Sequence, residues 1–321
     1  MTPTDDSTMK VSLITTVKDS ADHLGEFLAS VRGQTRAPDE VIVVDGGSRD
    51  GTLELLRRAA ESEDGITVIE EPGANISRGR NVAIAAAAHD VLAVSDADCL
   101  LEPDWLEHLL EPIEAGSDVA MGTYRPLTEG FLQECMAAVN LPDQDGFDEA
   151  SFMPSARSVA FRRNAIELAG GYPEWLAIGE DMYVNHRWRE LGLDMRLVRG
   201  AVVHWRLRSG LRATWRQYFR YARGDAVAGM YPERHALRFG VYAGLLVALV
   251  SHRRWTRLIA LLGGIAYARK PVSRAVGRFD DVADRAAAVG AVPVLMAFID
   301  LAKMAGYLAG LLARSRDPDP R

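Results

Sequence analysis

Short apolar runs alternate with longer stretches of helical periodicity through the first half of the chain. Val11 to Thr16 reads as a strand, and the amphipathic stretch Ala21 to Arg32 reads as the helix that follows it. Glu40-Val41-Ile42-Val43-Val44-Asp45 is nearly all apolar, the pattern of a strand buried on both faces. The turn Gly46 to Gly51 leads into a helix over Thr52 to Ala60. A strand over Ile66 to Ile69 and an alanine-rich helix over Ser77 to Ala88 come next. A fourth strand, Val91 to Val94, runs straight into Ser95-Asp96-Ala97-Asp98, and Pro103 suits the first turn of a helix reaching about Ala115. Strands and helices alternating at these lengths predict an α/β fold: a mostly parallel sheet with helices on both faces.

Beyond that point the order loosens. Asp118 to Tyr124 reads as a strand, and residues 140–157, with Pro142, Gly146 and Pro154, read as a mobile loop. Ser158 to Phe161 is a short strand, followed by a helix to Ala169 that Gly170-Gly171-Tyr172-Pro173 breaks. Glu180-Asp181 opens a helix ending near Leu191, and two short strands follow, about Met195 to Val198 and Ala201 to His204. From Leu211 the character changes. Arg212, Arg216, Arg220 and Arg223 fall three or four apart, on one helical face. Apolar runs follow over Phe239 to Ser251, Leu258 to Ala268 and Val289 to Ala313. The first two fall short of the roughly 18–20 residues of a membrane span, and Asp300 and Lys303 interrupt the third. A membrane hairpin with a re-entrant segment, helices lying in the interface and a dimerisation bundle all fit. Arg253-Arg254 and Arg269-Lys270 bracket the second run and favour membrane association from the cytoplasmic side. The expected organisation is a disordered lead-in over 1–9, a sheet domain over 10–225, a helical membrane-associated region over 226–313 and a tail over 314–321.

Composition narrows the classes. With 321 residues, 48% of them hydrophobic, the chain can bury a large core. A net charge of −7 argues against nucleic acid as a main partner. Cys99 and Cys135 have no paired spacing, so neither a disulfide framework nor a zinc site is indicated and a reduced, cytoplasmic setting fits. Met1 to Lys10 lacks the apolar stretch of a signal peptide.

The candidate chemistry sits at the strand ends. Asp96 and Asp98 leave a buried strand one residue apart, where open α/β sheets bind ligands in the crevice beyond the strand ends. Carboxylates held that close repel each other, and a divalent cation is the usual reason to tolerate them.

Four segments in order, Asp45-Gly46-Gly47-Ser48 to Thr52, Gly79-Arg80-Asn81, Asp96-Ala97-Asp98 and Gly179-Glu180-Asp181, resemble the family 2 glycosyltransferases with the GT-A fold, over about Lys10 to Arg223. Pro154-Ser155-Ala156-Arg157, Ala160-Phe161-Arg162-Arg163 and Asp300 to Tyr307 are similar to membrane-associated, succinoglycan-type members. The resemblance implies inverting transfer of a sugar from a UDP- or GDP-sugar to a hydroxyl, on a lipid-linked or other saccharide acceptor of an envelope or exopolysaccharide pathway.

It also implies roles. Asp45 contacts the nucleobase, since a carboxylate accepts from a base N–H; the same side chain would otherwise cap its own turn through Ser48 or Gly51. Thr16 and Asp19 border the base, although the family usually places Pro and Asn or Glu there. Arg80 lies near the donor phosphates or base, or else is a helix-surface arginine. Asp96 approaches the ribose or a metal-bound water, Asp98 binds Mn²⁺ or Mg²⁺ directly, and His204 matches a histidine ligand that favours Mn²⁺. Asp181 is the base that takes the acceptor proton, with Glu180 orienting the acceptor or the base; as plain structure, the pair is helix N-terminal charge. Arg212, Arg216 and Arg220 would hold a lipid diphosphate or face an anionic leaflet. Gln217-Tyr218-Phe219-Arg220-Tyr221 is similar to the Gln-x-x-Arg-Trp motif of processive synthases, but tyrosine replaces tryptophan, so a single-sugar transfer is expected. A homodimer is compatible with the helical region. Two other readings are weaker. A sugar-nucleotide nucleotidyltransferase needs a glycine-rich loop after the first strand, where this chain has Thr16-Val17-Lys18-Asp19-Ser20. An inactive scaffold would not need Asp45, Asp96, Asp98 and Asp181 together.

Overall fold

The computed structural model describes residues 9–141 and 146–316. The expected lead-in, except Met9, the end of the tail from 317 and residues 142–145 of the expected loop lie outside the described residues. The described chain forms two compact units, Met1–Arg125 with Gln144–Arg206, and Pro126–Asp143 with Leu207–Arg321.

The first unit is an eight-stranded mixed sheet in the order β3-β2-β1-β4-β7-β6-β8-β5. Its strands are β1 (Val11–Val17), β2 (Glu40–Asp45), β3 (Ile66–Glu70), β4 (Val91–Val94), β5 (Cys99–Leu101), β6 (Val119–Leu127), β7 (Val159–Arg162) and β8 (Met195–Arg206). α1 (Ala21–Arg32), α2 (Thr52–Ser62) and α3 (Ile76–Ala86) connect the first four strands, which run parallel. Apolar side chains on both faces of β1, β2 and β4 are buried, so these strands lie inside the layered core. Helix α1 covers the sheet through Leu24, Phe27, Leu28 and Val31.

The chain winds outward from β1 to β2 and β3, then returns to place β4 on the other side of β1. That reversal is a topological switch point, and the carboxyl ends of these strands define the crevice. Val17 lies opposite Asp45, and Ile14 opposite Val94, so β1, β2 and β4 end at one edge. β7 is antiparallel to β4 with Val159 opposite Val94, which brings residues 155–158 to the same edge. The remaining helices of this unit are α4 (Trp105–Glu114), α6 (Arg163–Leu168) and α7 (Glu180–Glu190).

Three departures from the periodicity reading have physical causes. β8 is one 12-residue strand instead of two short ones, because Gly200 stays in the ladder beside the His108 ring. β5 follows directly after Asp98 and is three residues long, too short to carry a period; it pairs antiparallel with β8. The expected boundary at residue 226 also moves. Helix α8 (Leu211–Ala228) belongs with the helical unit, which also takes α5 (Gly130–Asn140) from within the sheet sequence.

The helical unit adds α9 (Pro232–Val250), α10 (Arg254–Val276) and α11 (Val282–Arg316). One core joins Cys135, Met136 and Ala138 of α5 to Ala275 and Phe279 at the end of α10 and to Ala288, Val292, Leu295 and Met296 of α11. α8 lies directly against α11 at Gly306 and Gly310. A Cβ at Gly306 would collide with the Phe219 carbonyl, and one at Gly310 would lie 2.5 Å from the Arg223 carbonyl oxygen. Small residues spaced by four allow this backbone approach. Among the described residues, α11 is the one helix long and apolar enough to cross a membrane by length and composition.

Candidate active site

The site is built where the parallel strands end. Two loops, β1–α1 and β2–α2, lock together first. Asp19 takes a positive φ of 51°, its Oδ1 accepts from Arg49 N–H at 2.8 Å, and its own N–H donates to Ser48 Oγ at 2.9 Å. Asp50 accepts from Ala21 N–H at 3.0 Å and from the Thr52 hydroxyl, tying the starts of α1 and α2 together.

Next comes α3, whose Gly79-Arg80-Asn81 divides three jobs. A Cβ on Gly79 would lie 2.7 Å from Thr16 Cγ2, so only glycine lets α3 approach β1 this closely. Asn81 clamps the Gly171-Tyr172 turn, accepting from Tyr172 N–H and donating to the Tyr172 carbonyl, both at 2.9 Å. Arg80 lies between them, 2% exposed. Its guanidinium donates to Asp96 Oδ1 at 2.9 Å and to Glu180 Oε1 at 2.6 Å, over the Tyr172 ring. Burial opposes the charge on Arg80, but Glu180 and Asp96 outweigh it and raise its pKa further.

Glu180 opens α7 after Gly179, which holds a φ of 86°. Burial lifts the Glu180 carboxyl above the ordinary carboxylate range; Arg80 pulls it down and the Asp181 charge adds to the rise. Asp181, half-buried beside it, accepts from Met182 N–H at 2.8 Å and more distantly from Ala156 N–H at 3.4 Å. Both carboxylates sit in the first turn of α7, where the helix field favours negative charge.

On the other side of Asp96 stands Arg157, with Nε 3.7 Å from Asp96 Oδ2. Its guanidinium lies over Trp205, 4.2 Å from the ring centroid, and 5.8 Å from that of Tyr124, while Nη1 donates to Ser155 Oγ at 2.7 Å. Trp205 also donates its indole N–H toward Asp98 Oδ2 at 3.4 Å. Two arginines therefore flank Asp96, and Asp98 lies beside the Trp205 indole. Among the described residues no group of three or more His, Cys, Asp or Glu side chains is gathered to hold a metal ion.

This geometry is matched by relatedness along the chain. Residues 74–315 match Glycosyl transferase family 21, and residues 12–133 match Glycosyl transferase family 2. The chain belongs to Glycosyl transferase family 21. It is 27% identical over 193 residues to the glycosyltransferase AglE of Haloferax volcanii, covering 58% of this chain and 63% of AglE. It is 26% identical over 219 residues to the succinoglycan biosynthesis protein ExoA of Rhizobium meliloti, covering 65% of this chain and 66% of ExoA. The chain thus spans about two thirds or less of the length of these relatives. The crystal structure of GalNAc-T7 with UDP, GalNAc and Mn²⁺ shares the GT-A-like fold at a TM-score of 0.54 and 16% identity, over 70% of this chain and 48% of that one.

Within this glycosyltransferase, three expected positions have surroundings that bear on their alternative readings. Asp45 is 1% exposed and turns onto its own loop: Oδ1 accepts from Gly47 and Ser48 N–H at 2.9 Å, and Oδ2 from Ser48 Oγ at 2.5 Å. It forms the turn-capping alternative, which satisfies backbone donors a buried loop would otherwise orphan. Arg80 is buried between carboxylates and is not the helix-surface arginine of the alternative reading. His204 faces away from Asp98. In β8 it is the neighbour, Trp205, that meets Asp98, and side chains alternate across a strand, so His204 Nε2 pairs with Glu102. Thr16 is half-buried against Gly79, and Asp19 shapes the loop pair. Arg157, Trp205, Tyr124 and Tyr172 were not marked as site residues by the motifs. Only the Pro154-Ser155-Ala156-Arg157 segment signalled one of them, because the others converge from separate strands and a turn.

In the helical unit, Arg212, Arg216, Arg220 and Arg223 are exposed along one face of α8, while Tyr218 and Ala222 are buried on another.

Proposed function

We propose that the chain transfers a single sugar, with inversion, from a UDP- or GDP-sugar to a hydroxyl of a lipid-linked saccharide. The observation that carries this reading is the Arg80 bridge. One buried guanidinium joins Asp96, at the carboxyl end of β4, to Glu180, the residue beside Asp181 at the start of α7. In this reading the bridge holds a donor-side carboxylate and an acceptor-side helix start in register through a buried ion pair.

In this reading Asp181 is the base that accepts the acceptor's proton, with the Ala156 and Met182 N–H groups fixing its carboxylate. Glu180 and Arg80 are positioning residues, since both are buried and bonded to each other. Asp19, Thr16 and the loop capped by Asp45 border the nucleotide. Asp96 and Asp98 suit a Mg²⁺ or Mn²⁺ ion as hard oxygen donors, and two protein carboxylates leave coordination for diphosphate oxygens. When bound, that ion neutralises charge on the departing nucleoside diphosphate. Arg157, between Asp96 and Trp205, adds a second positive charge on the same side. GalNAc-T7, which shares the fold, was crystallised with UDP, GalNAc and Mn²⁺, which supports a nucleotide and a divalent ion in this reading. The acceptor proposed accords with ExoA, named for succinoglycan biosynthesis, and with the exposed arginines of α8, which suit a lipid phosphate at the cytoplasmic face of a membrane.

Binding and hydrolysis of UDP- and GDP-sugars, with and without Mn²⁺ or Mg²⁺, test the proposal. One donor is expected to bind and hydrolyse slowly only with the ion, and Asp98→Ala should abolish that binding. Asp181→Asn should keep donor binding while transfer falls by about 10²- to 10⁴-fold. Absence of binding to any donor under either condition overturns it.

A further inference from the structure

Hydropathy selects α11 as the membrane-crossing element, yet the side chains around it argue for a different part of the helical unit. Asp300 lies near the middle of the apolar stretch Val282–Ser315 and is 4% exposed. It accepts from Arg238 Nε at 2.7 Å, Tyr242 OH at 3.2 Å and Tyr267 OH at 2.8 Å. Arg238 continues to His235 at 3.1 Å, which pairs with Asp225 at 2.9 Å and stacks on Tyr307. Lys303, one turn along α11, sits over the Tyr218 ring. A bilayer centred on α11 would hold Asp300, Arg238 and Lys303 at its midplane, where each charge is costly. The same helix presses its glycines onto the α8 backbone. α11 therefore has the contacts of an internal strut.

The α9–α10 hairpin has the opposite character. Beyond the Asp300 network it is apolar nearly all round and exposed: Leu246 is 64% exposed, Val250 76%, Trp255 67% and Ile259 70%. A helix apolar on every side normally has protein or lipid around it. The two apolar bodies, Phe239–Val250 and Leu258–Ala268, are roughly 18 and 16 Å long at 1.5 Å per residue, well short of a hydrocarbon core of about 30 Å. Their ends are polar or basic: Arg234 at the start, His252, Arg253, Arg254 and Arg257 at the bend, Arg269 and Lys270 at the finish. A tip-first insertion would carry the bend's arginines toward the bilayer centre. An in-plane orientation keeps every basic end at the headgroups.

We propose that the α9–α10 hairpin lies within a single leaflet of an anionic bilayer, roughly in its plane, with its basic ends among lipid phosphates, and that α11 does not cross. The inference rests on the membrane association proposed above and names the element and the mode. The arginine-rich ends select lipid over a second copy of the chain, because two hairpins packed together would set like charges against each other.

The test uses the full chain and vesicles of phosphatidylcholine alone or with 30% phosphatidylglycerol. Cys99 and Cys135 are buried, so single cysteines introduced as Glu61→Cys in α2 and His252→Cys at the bend can be labelled separately. The chain should float with anionic vesicles at least tenfold more than with neutral ones. An impermeant maleimide added outside should reach both cysteines equally before and after detergent. A fluorophore on Ile259→Cys should shift to the blue on binding. Labelling of the bend only after detergent means a span and overturns the proposal, as does an unshifted Ile259→Cys probe. A mass of two chains without lipid, with no flotation, makes a second copy the occupant and equally overturns it. Hydrolysis of a soluble nucleotide-sugar is read in parallel: flotation lost with hydrolysis retained refutes the hairpin alone, whereas hydrolysis lost with flotation retained refutes the enzymatic reading alone.

Discussion

Among the described residues, each unit of this protein buries an arginine–carboxylate centre, and the two differ in the charge left after pairing: one cation meets two carboxylates in the first and one carboxylate in the second. In the sheet unit, Arg80 is a single cation shared by two carboxylates, with Asp98 two positions beyond Asp96 and Asp181 next to Glu180. In the helical unit, Asp300 is a single anion that collects Arg238 and two tyrosine hydroxyls. Both satisfy the requirement that a buried charge be bonded. The first remains rich in negative charge, so it is suited to receive a cation or a proton. The second is balanced by Arg238 and completed by two neutral hydroxyls, so it is suited to fastening α9 and α10 to α11. Pairing alone does not mark a reactive centre; the charge left over after pairing does.

The comparison can be broken most severely at Arg80. Arg80→Ala should leave Glu180 buried without its partner and cost about 3–5 kcal/mol of stability, read by urea denaturation, with donor hydrolysis lost as well. Arg80→Lys should restore part of the stability and little of the hydrolysis, because an ammonium cannot fork to two carboxylates in the same way. Equal hydrolysis in wild type and Arg80→Lys would show that the bridge has no positioning role. At the other centre, Asp300→Asn removes the charge and should cost about 2 kcal/mol, with hydrolysis of a soluble donor unchanged. A parallel loss of hydrolysis would mean that the two centres do not divide their work as described.

Smaller changes sharpen the same contrast. Gly306→Ala inserts a Cβ against the Phe219 carbonyl and should destabilise by about 1–3 kcal/mol through overpacking, a loss Gly263→Ala should not reproduce because nothing lies within 4 Å of its Cβ position. The smallest effect is expected at Asp39, which accepts from Arg36 and from Val11 N–H. Burial works to raise its pKa, but these hydrogen bonds outweigh it and hold the carboxyl below its ordinary value. A depressed folded-state pKa contributes stability above the unfolded pKa and loses it as pH falls through the folded one. Asp39→Asn should therefore cost about 1 kcal/mol at pH 7, and the difference from wild type should close below about pH 4. A gap that stayed constant into acid would mean the carboxylate charge contributes nothing.

Much of the sheet unit follows from local pattern. The bounds of α1, β2 and β4 are those that the periodicity predicts, because a strand buried on two faces and an amphipathic helix each leave an unmistakable hydrophobic record. Asp96 and Asp98 are legible for the same reason, since they terminate such a strand. The fold and the succession Asp45, Arg80, Asp96, Asp181 were thus determined along the chain. What each side chain touches was not. Asp45 turns back onto Ser48, His204 is carried to the far face by strand alternation, and Arg157 reaches Asp96 from a loop more than sixty residues away in sequence. The helical unit shows the same limit more strongly. Length and mean hydropathy alone would make α11 a span and leave the apolar runs of α9 and α10 short, but a hydropathy sum counts residues without their partners. Only the packed structure brought Arg238, Tyr242 and Tyr267 onto Asp300 and left the faces of α9 and α10 bare. Periodicity records which face of an element is buried, whereas pairing of charges depends on distances between elements that are set only when they pack.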